Sequence, residues 1–192
     1  MKKKKITFNS PVILGFVFLS LAVMGLNFIT MGASNQFFFV TFHSPLTSPM
    51  TYFRFFAHVL GHVSWNHYIG NMMYILLLGP MLEEKYGSRT ILEIILITAL
   101  VAGLANWLFF PDVALCGASS VVFSFILLTS FTSFREGEIP LTVILVAVIF
   151  IGQQIYEGVF LQDNISNMAH IVGGLIGASI GYFLNKKPKK RY

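Results

Sequence analysis

Two hydroxyl groups stand side by side in the stretch CGASSVVFSF, where a Gly-Ala step leads through Ser119 and Ser120 into an apolar run. Further along, His170 stands near the start of another apolar run, NMAHIVGGLIG, and a third run, HVLGHVSWNHYIGNMMYILLL, carries His58, His62, His67 and Asn71. His67 and Asn71 are four residues apart and share one face if that run is helical. A serine hydroxyl, an imidazole and additional imidazole or amide N–H groups are what acyl transfer needs: a nucleophile, a general base and donors for the oxyanion. Each group also has a plainer use. A serine in an apolar helix bonds the carbonyl one turn back, a single histidine packs or starts a helix, and Asn71 can hold two helices together. His58 and His62 have the spacing of a metal-binding pair, but no third ligand accompanies them and the HExxH pattern is absent, so a satisfied interfacial pair is expected and no metal site.

The elements that must position these groups are membrane helices. Of the 192 residues 55% are hydrophobic and 11% charged, against roughly 25% charged in soluble domains, and the mean hydropathy is +0.73. A spanning helix needs about 20 apolar residues, and six segments approach or exceed that length: about 11–32, 58–82, 90–110, 116–134, 140–157 and 168–184. The expected fold class is therefore an all-α membrane protein with six transmembrane helices. One domain is expected at 11–184, flanked by basic tails at 1–10 and 185–192. The first segment follows a basic start, as a signal peptide would, but its apolar run exceeds the ~7–15 residues of a signal core and reads as an uncleaved anchor. Residues 34–57, rich in aromatics and interrupted by Pro45 and Pro49, are too broken to span and read as an interfacial element.

The net charge is +5, but 9 of the 13 Lys and Arg lie in the terminal runs MKKKK and NKKPKKRY. That is membrane-flanking charge, and it argues against a nucleic-acid face. One cysteine, Cys116, leaves no intramolecular disulfide. With a cytoplasmic N-terminus the six segments place 12 of 13 basic residues inside and only Arg54 outside, the imbalance expected of a correctly oriented chain. Segments two, four and six then run inward, so His67, Asn71, Ser119 and His170 share one layer roughly 5–15 Å below the outer surface, at 1.5 Å per residue. Gly173, Gly177 and Gly181 repeat every four residues below His170, a groove against which another helix backbone can lie. Contact between segments six and four, with Ser120 and Ser124 as a small-residue stripe, would bring the imidazole to Ser119.

At these residues the chain resembles the rhomboid family of intramembrane serine proteases. The resemblance runs from about residue 54 to 184, through HVSWNHYIGN, LEEKYGS, CGASS and AHIVGGLIG in that order. It implies a rhomboid-like bundle in a cell membrane, multi-pass with both termini cytoplasmic, acting on transmembrane protein substrates in the bilayer, with no cofactor and no nucleic-acid partner. Ser119, third residue of the Gly117-Ala-Ser motif, would be the nucleophile and His170 its base. The family's dyad has no carboxylate partner, and Phe123, four residues after the nucleophile, would support the imidazole. His67 and Asn71 would stabilise the oxyanion with the backbone N–H of Ser119. His62 matches an outer, structural histidine, and Glu83 an acidic anchor for loop and helix ends. The residue after the nucleophile is commonly Gly in the family and is Ser120 here. The loop at 158–167 reads as a mobile cap over the site. Two alternatives stand beside the protease: an inactive rhomboid-like protein that binds membrane clients, and a small transporter, which would need polar groups in the inner halves of the spans. The oligomeric state and the substrate have no signature in the sequence.

Overall fold

A computed structural model of the chain describes residues 8–133, 141–160 and 167–185. The basic tails beyond Phe8 and Asn185, the expected inner connection at 135–138 and most of the expected cap at 158–167 lie outside those residues.

The first helix, α1 (Pro11–Ile29), starts with proline at its first position, where the missing N–H costs nothing. It ends where Met31 and Gly32 take left-handed backbone, with the Gly32 N–H bonded back to the Asn27 carbonyl at 2.9 Å. The aromatic-rich stretch expected at the interface then folds as one π-helical turn (Asn35–Phe39) and a short helix, α2 (Pro49–Ala57). Arg54 on α2 is held by the Phe37 carbonyl and by the face of Phe42, 4.5 Å away. Four of the five remaining helices are long: α3 (Trp65–Tyr86), α4 (Ser88–Phe109), α6 (Leu141–Phe160) and α7 (Asn167–Asn185). The fifth, α5 (Ser119–Ser130), has 12 residues and continues into a 3-10 turn. Among the described residues there is no strand, only a two-residue bridge between Thr41 and Leu115.

The fold is a helical membrane bundle. By length and composition, α1, α4 and α7 are long and apolar enough to cross a membrane, while α5 and Leu141–Phe150 are shorter apolar helices. The helix α3 equals α4 in length but carries His67, Asn71 and a Glu-Glu-Lys end. The core is formed chiefly by α1, α3, α4 and α5, with Ile13, Ile75, Ile91, Val121 and Phe125 fully buried at its centre.

The largest difference from the expected segment boundaries is at the second segment. The second long helix starts at Trp65, not at 58, because Ser64 is extended and accepts the His67 N–H at 3.2 Å as an N-cap. The residues before it are shaped by packing: a side chain at Gly61 would overlap Phe39 and Cys116, and one at Gly103 would press on the Phe55 backbone of α2. His58 therefore closes α2 and His62 sits in the connection, so the two do not share a helix face. His58 donates to the Ala99 carbonyl at 3.0 Å and His62 to the Leu60 carbonyl at 3.2 Å.

Glu83 ties together the end of the bundle where α1 starts and α3 ends. Its buried carboxylate accepts the backbone N–H groups of Val12 and Ile13, both at 3.0 Å, and the Ser88 hydroxyl at 2.6 Å. The first two are orphan donors at the start of α1, so a side chain on α3 caps α1. Ser10, the local cap position, makes no side-chain bond to the helix. Gly87, with φ 86°, then turns the chain directly into α4.

Candidate active site

Ser119 stands at the first position of α5. Its backbone N–H is one of the donors that a helix start leaves without an intrahelical partner. Gly117 makes the entry possible. At φ 125° it adopts a backbone that side chains avoid, and its N–H is fixed by the His58 carbonyl at 2.9 Å. The Thr41–Leu115 bridge, with both of its hydrogen bonds at 2.9 Å, fastens the same loop to the aromatic-rich stretch.

His170, on the first turn of α7, places Nε2 at 2.9 Å from Ser119 Oγ. That distance depends on how closely α5 and α7 approach. A Cβ at Gly173 would overlap the Ser120 backbone carbonyl, one at Gly177 that of Ser124, and one at Gly181 the Phe131 ring. The glycine groove and the serine stripe thus face each other, and the imidazole arrives above their contact. Ser120 is buried within it. The Phe123 ring lies 4.6 Å from that of His170, centroid to centroid, at an interplanar angle of 45°.

His67 and Asn71 converge on Gly117 from α3. A Cβ at Gly117 would come within 2.5 Å of His67 Cε1, 2.7 Å of its Nε2 and 3.6 Å of Asn71 Nδ2. The absence of a side chain there keeps these donors open to the start of α5. Asn71 is buried, and its Nδ2 has no hydrogen-bond partner among the described residues. A buried, unpaired amide donor carries a cost of ~1–3 kcal/mol. Such a donor gains most when a negative oxygen forms beside it. His62 packs edge-on against His67, with centroids 5.1 Å apart, and its carbonyl accepts Asn35 Nδ2 at 2.8 Å.

All the sequence-nominated residues therefore gather in one place: Ser119 and His170 in direct contact, His67 and Asn71 at Gly117, Phe123 beside the imidazole and His62 behind His67. Among the described residues no three His, Cys, Asp or Glu side chains are grouped as metal ligands. One neighbour had no sequence signal. Phe150 of α6 lies 4.2 Å from Phe123, and nothing in the spacing of the fifth apolar run distinguishes it.

Comparison with known proteins places the chain among relatives of one family. A family model described as Rhomboid domain matches residues 49–187. The chain is 32% identical over 158 residues to Rhomboid-related protein 2 of Mus musculus, covering 71% of this chain and 52% of that protein. It is 23% identical over 151 residues to Rhomboid-like protein 11, chloroplastic, of Arabidopsis thaliana, covering 71% and 54%. With Rhomboid protease GlpG of Pectobacterium atrosepticum it shares 27% over 135 residues, covering 68% and 48%. The chain spans about half the length of these relatives.

Proposed function

The chain belongs to the rhomboid family, and we propose that it is a working protease of that family: an intramembrane serine endopeptidase that cuts transmembrane segments of membrane proteins near the outer face. The observation that carries this reading is the 2.9 Å contact between Ser119 Oγ and His170 Nε2. Ser119 attacks a peptide carbonyl while His170 takes its proton. The tetrahedral oxyanion is met by Asn71 Nδ2, the His67 ring and the Ser119 backbone N–H. Collapse breaks the peptide C–N bond as His170 returns the proton to the leaving amine, and a water, deprotonated by the same imidazole, hydrolyses the acyl-enzyme. Substrate backbone can leave helical form inside a bilayer only where protein or water satisfies it, so the outer end of the substrate segment unwinds at the site.

The domain and its setting follow the same reading: a catalytic bundle at 11–184 with basic tails, in the plasma membrane, both termini cytoplasmic, by the partition of 12 of 13 basic residues. A rhomboid-like protein that holds membrane clients without cutting them is the competing reading. Labelling with a fluorophosphonate probe in membranes, with the modified residue mapped by mass spectrometry, separates the two. Ser119 is expected to be modified, Ser119→Ala and His170→Ala to abolish both labelling and cleavage of a single-span substrate, and Ser120→Gly to preserve or improve both. A folded wild-type protein that neither labels nor cleaves would establish the client-binding reading, and labelling at Ser120 would displace Ser119 as nucleophile.

A further inference from the structure

Three aromatic rings from three helices stack in series next to the serine. Phe150 on α6 is 7% exposed, and its ring lies 4.2 Å from Phe123 on α5, with 34° between the planes. Phe123 in turn lies 4.6 Å from the His170 ring on α7. Gly174 makes room for the outermost ring, since a Cβ there would stand 2.8 Å from Phe150 Cε1. An imidazole on a helix has a broad second torsion, so its orientation is set by what it packs against. Aromatic pairs hold preferred separations and tilts.

We propose that Phe150 is a positioning residue: it presses Phe123 against the His170 imidazole and so keeps Nε2 aimed at Ser119 Oγ. This deepens the protease reading and rests on Ser119 and His170 being its reacting pair. Among the described residues the other side of α6 is uncovered, with Leu141, Ile144, Leu145, Val148 and Ile149 all exposed. Among the described residues its hold on the stack comes from the face turned to α5 and α7, so any lean of α6 away from α5 loosens the imidazole. The base is thereby made sensitive to the position of a helix that carries no reacting group.

The test uses the full chain in liposomes, with two rates measured on each variant. One is phosphonylation of Ser119 by the fluorophosphonate probe, which needs the reacting pair but no unwound substrate. The other is cleavage of a fluorogenic single-span peptide, giving kcat and KM. Phe150→Ala is expected to lower kcat and the phosphonylation rate together by about 10-fold, part of the ~100-fold that a 1 Å misplacement costs, with KM unchanged. Phe150→Leu keeps most of the volume without the flat ring and should fall in the same direction, which covers the case of a poorly folded alanine variant. Gly174→Ala should slow both rates by pushing the Phe150 ring, and should cost much less when combined with Phe150→Leu, because the two changes act on one contact. Wild type that labels while all these variants label at the same rate would overturn this inference alone. So would a rise in KM with kcat and labelling unchanged, which would place Phe150 at substrate entry. A wild type that does not label would overturn the reacting pair itself, and this inference with it.

Discussion

Replacing Gly173 with alanine tests whether helix approach sets the chemistry. The added Cβ would overlap the carbonyl oxygen, carbonyl carbon and Cα of Ser120. These are backbone atoms inside α5, and they cannot rotate aside as a side chain can. Relief requires α7 to withdraw by about 1.3 Å to reach an ordinary contact of 3.4 Å. His170 stands one turn above Gly173, so the 2.9 Å bond to Ser119 would stretch to roughly 4.2 Å, beyond hydrogen-bond reach. A displacement of that size costs on the order of 100-fold in rate. The crowding itself costs about 1–3 kcal/mol of stability. Gly177→Ala makes the same overlap two turns below His170, against Ser124. There α7 can tilt about its outer end, so a similar loss of stability should come with a smaller loss of rate, about 10-fold. Gly25, with nothing within 4 Å of a built Cβ, is the control. The assay is phosphonylation of Ser119 beside thermal unfolding in detergent. Wild-type labelling of Gly173→Ala, or a greater rate loss in Gly177→Ala than in Gly173→Ala, would refute the argument.

Other outcomes follow from the same geometry. His67→Ala and Asn71→Ala should each lower kcat by ~100- to 1000-fold, or about 2.7–4 kcal/mol, with KM little changed, as loss of one oxyanion donor does. A raised KM with normal kcat would move them to substrate binding. Glu83→Gln should cost about 1.5–3 kcal/mol by weakening the charged cap on α1, read as a lower unfolding midpoint and earlier proteolysis between α1 and α2; an unchanged midpoint would mean that α1 docks without it. In a Cys116→Ser background, cysteines placed at 5 and 187 should resist an impermeant thiol reagent in sealed cells while one at 113 reacts, and the opposite pattern would reverse the orientation.

The chain carried much of its own fold in local pattern. Apolar runs of near-spanning length announced the helical membrane bundle, because a bilayer forces each run to satisfy its backbone internally. The repeat Gly173-Gly177-Gly181 announced a close crossing, and the serines at 120 and 124 its partner stripe. Even the start of α3 has a local signal in Ser64, a capping residue three before His67. Each of these depends on residues within a turn or two of one another.

Only the tertiary structure decided where distant groups meet. That Gly117 lies under His67 and Asn71 follows from the loop being bonded to His58 and Thr41, contacts far apart in sequence. The partners of Glu83, two backbone N–H groups some seventy residues earlier, belong to a helix end whose own capping position does nothing. Phe150 reaches the site because Gly174 leaves space for its ring, a coincidence of two helices that neither sequence segment encodes alone. Periodicity and capping are short-range and survive in the sequence as pattern. The choice among many possible docking partners is made by shape and by the need to pair buried polar groups, and those exist only once the helices have packed.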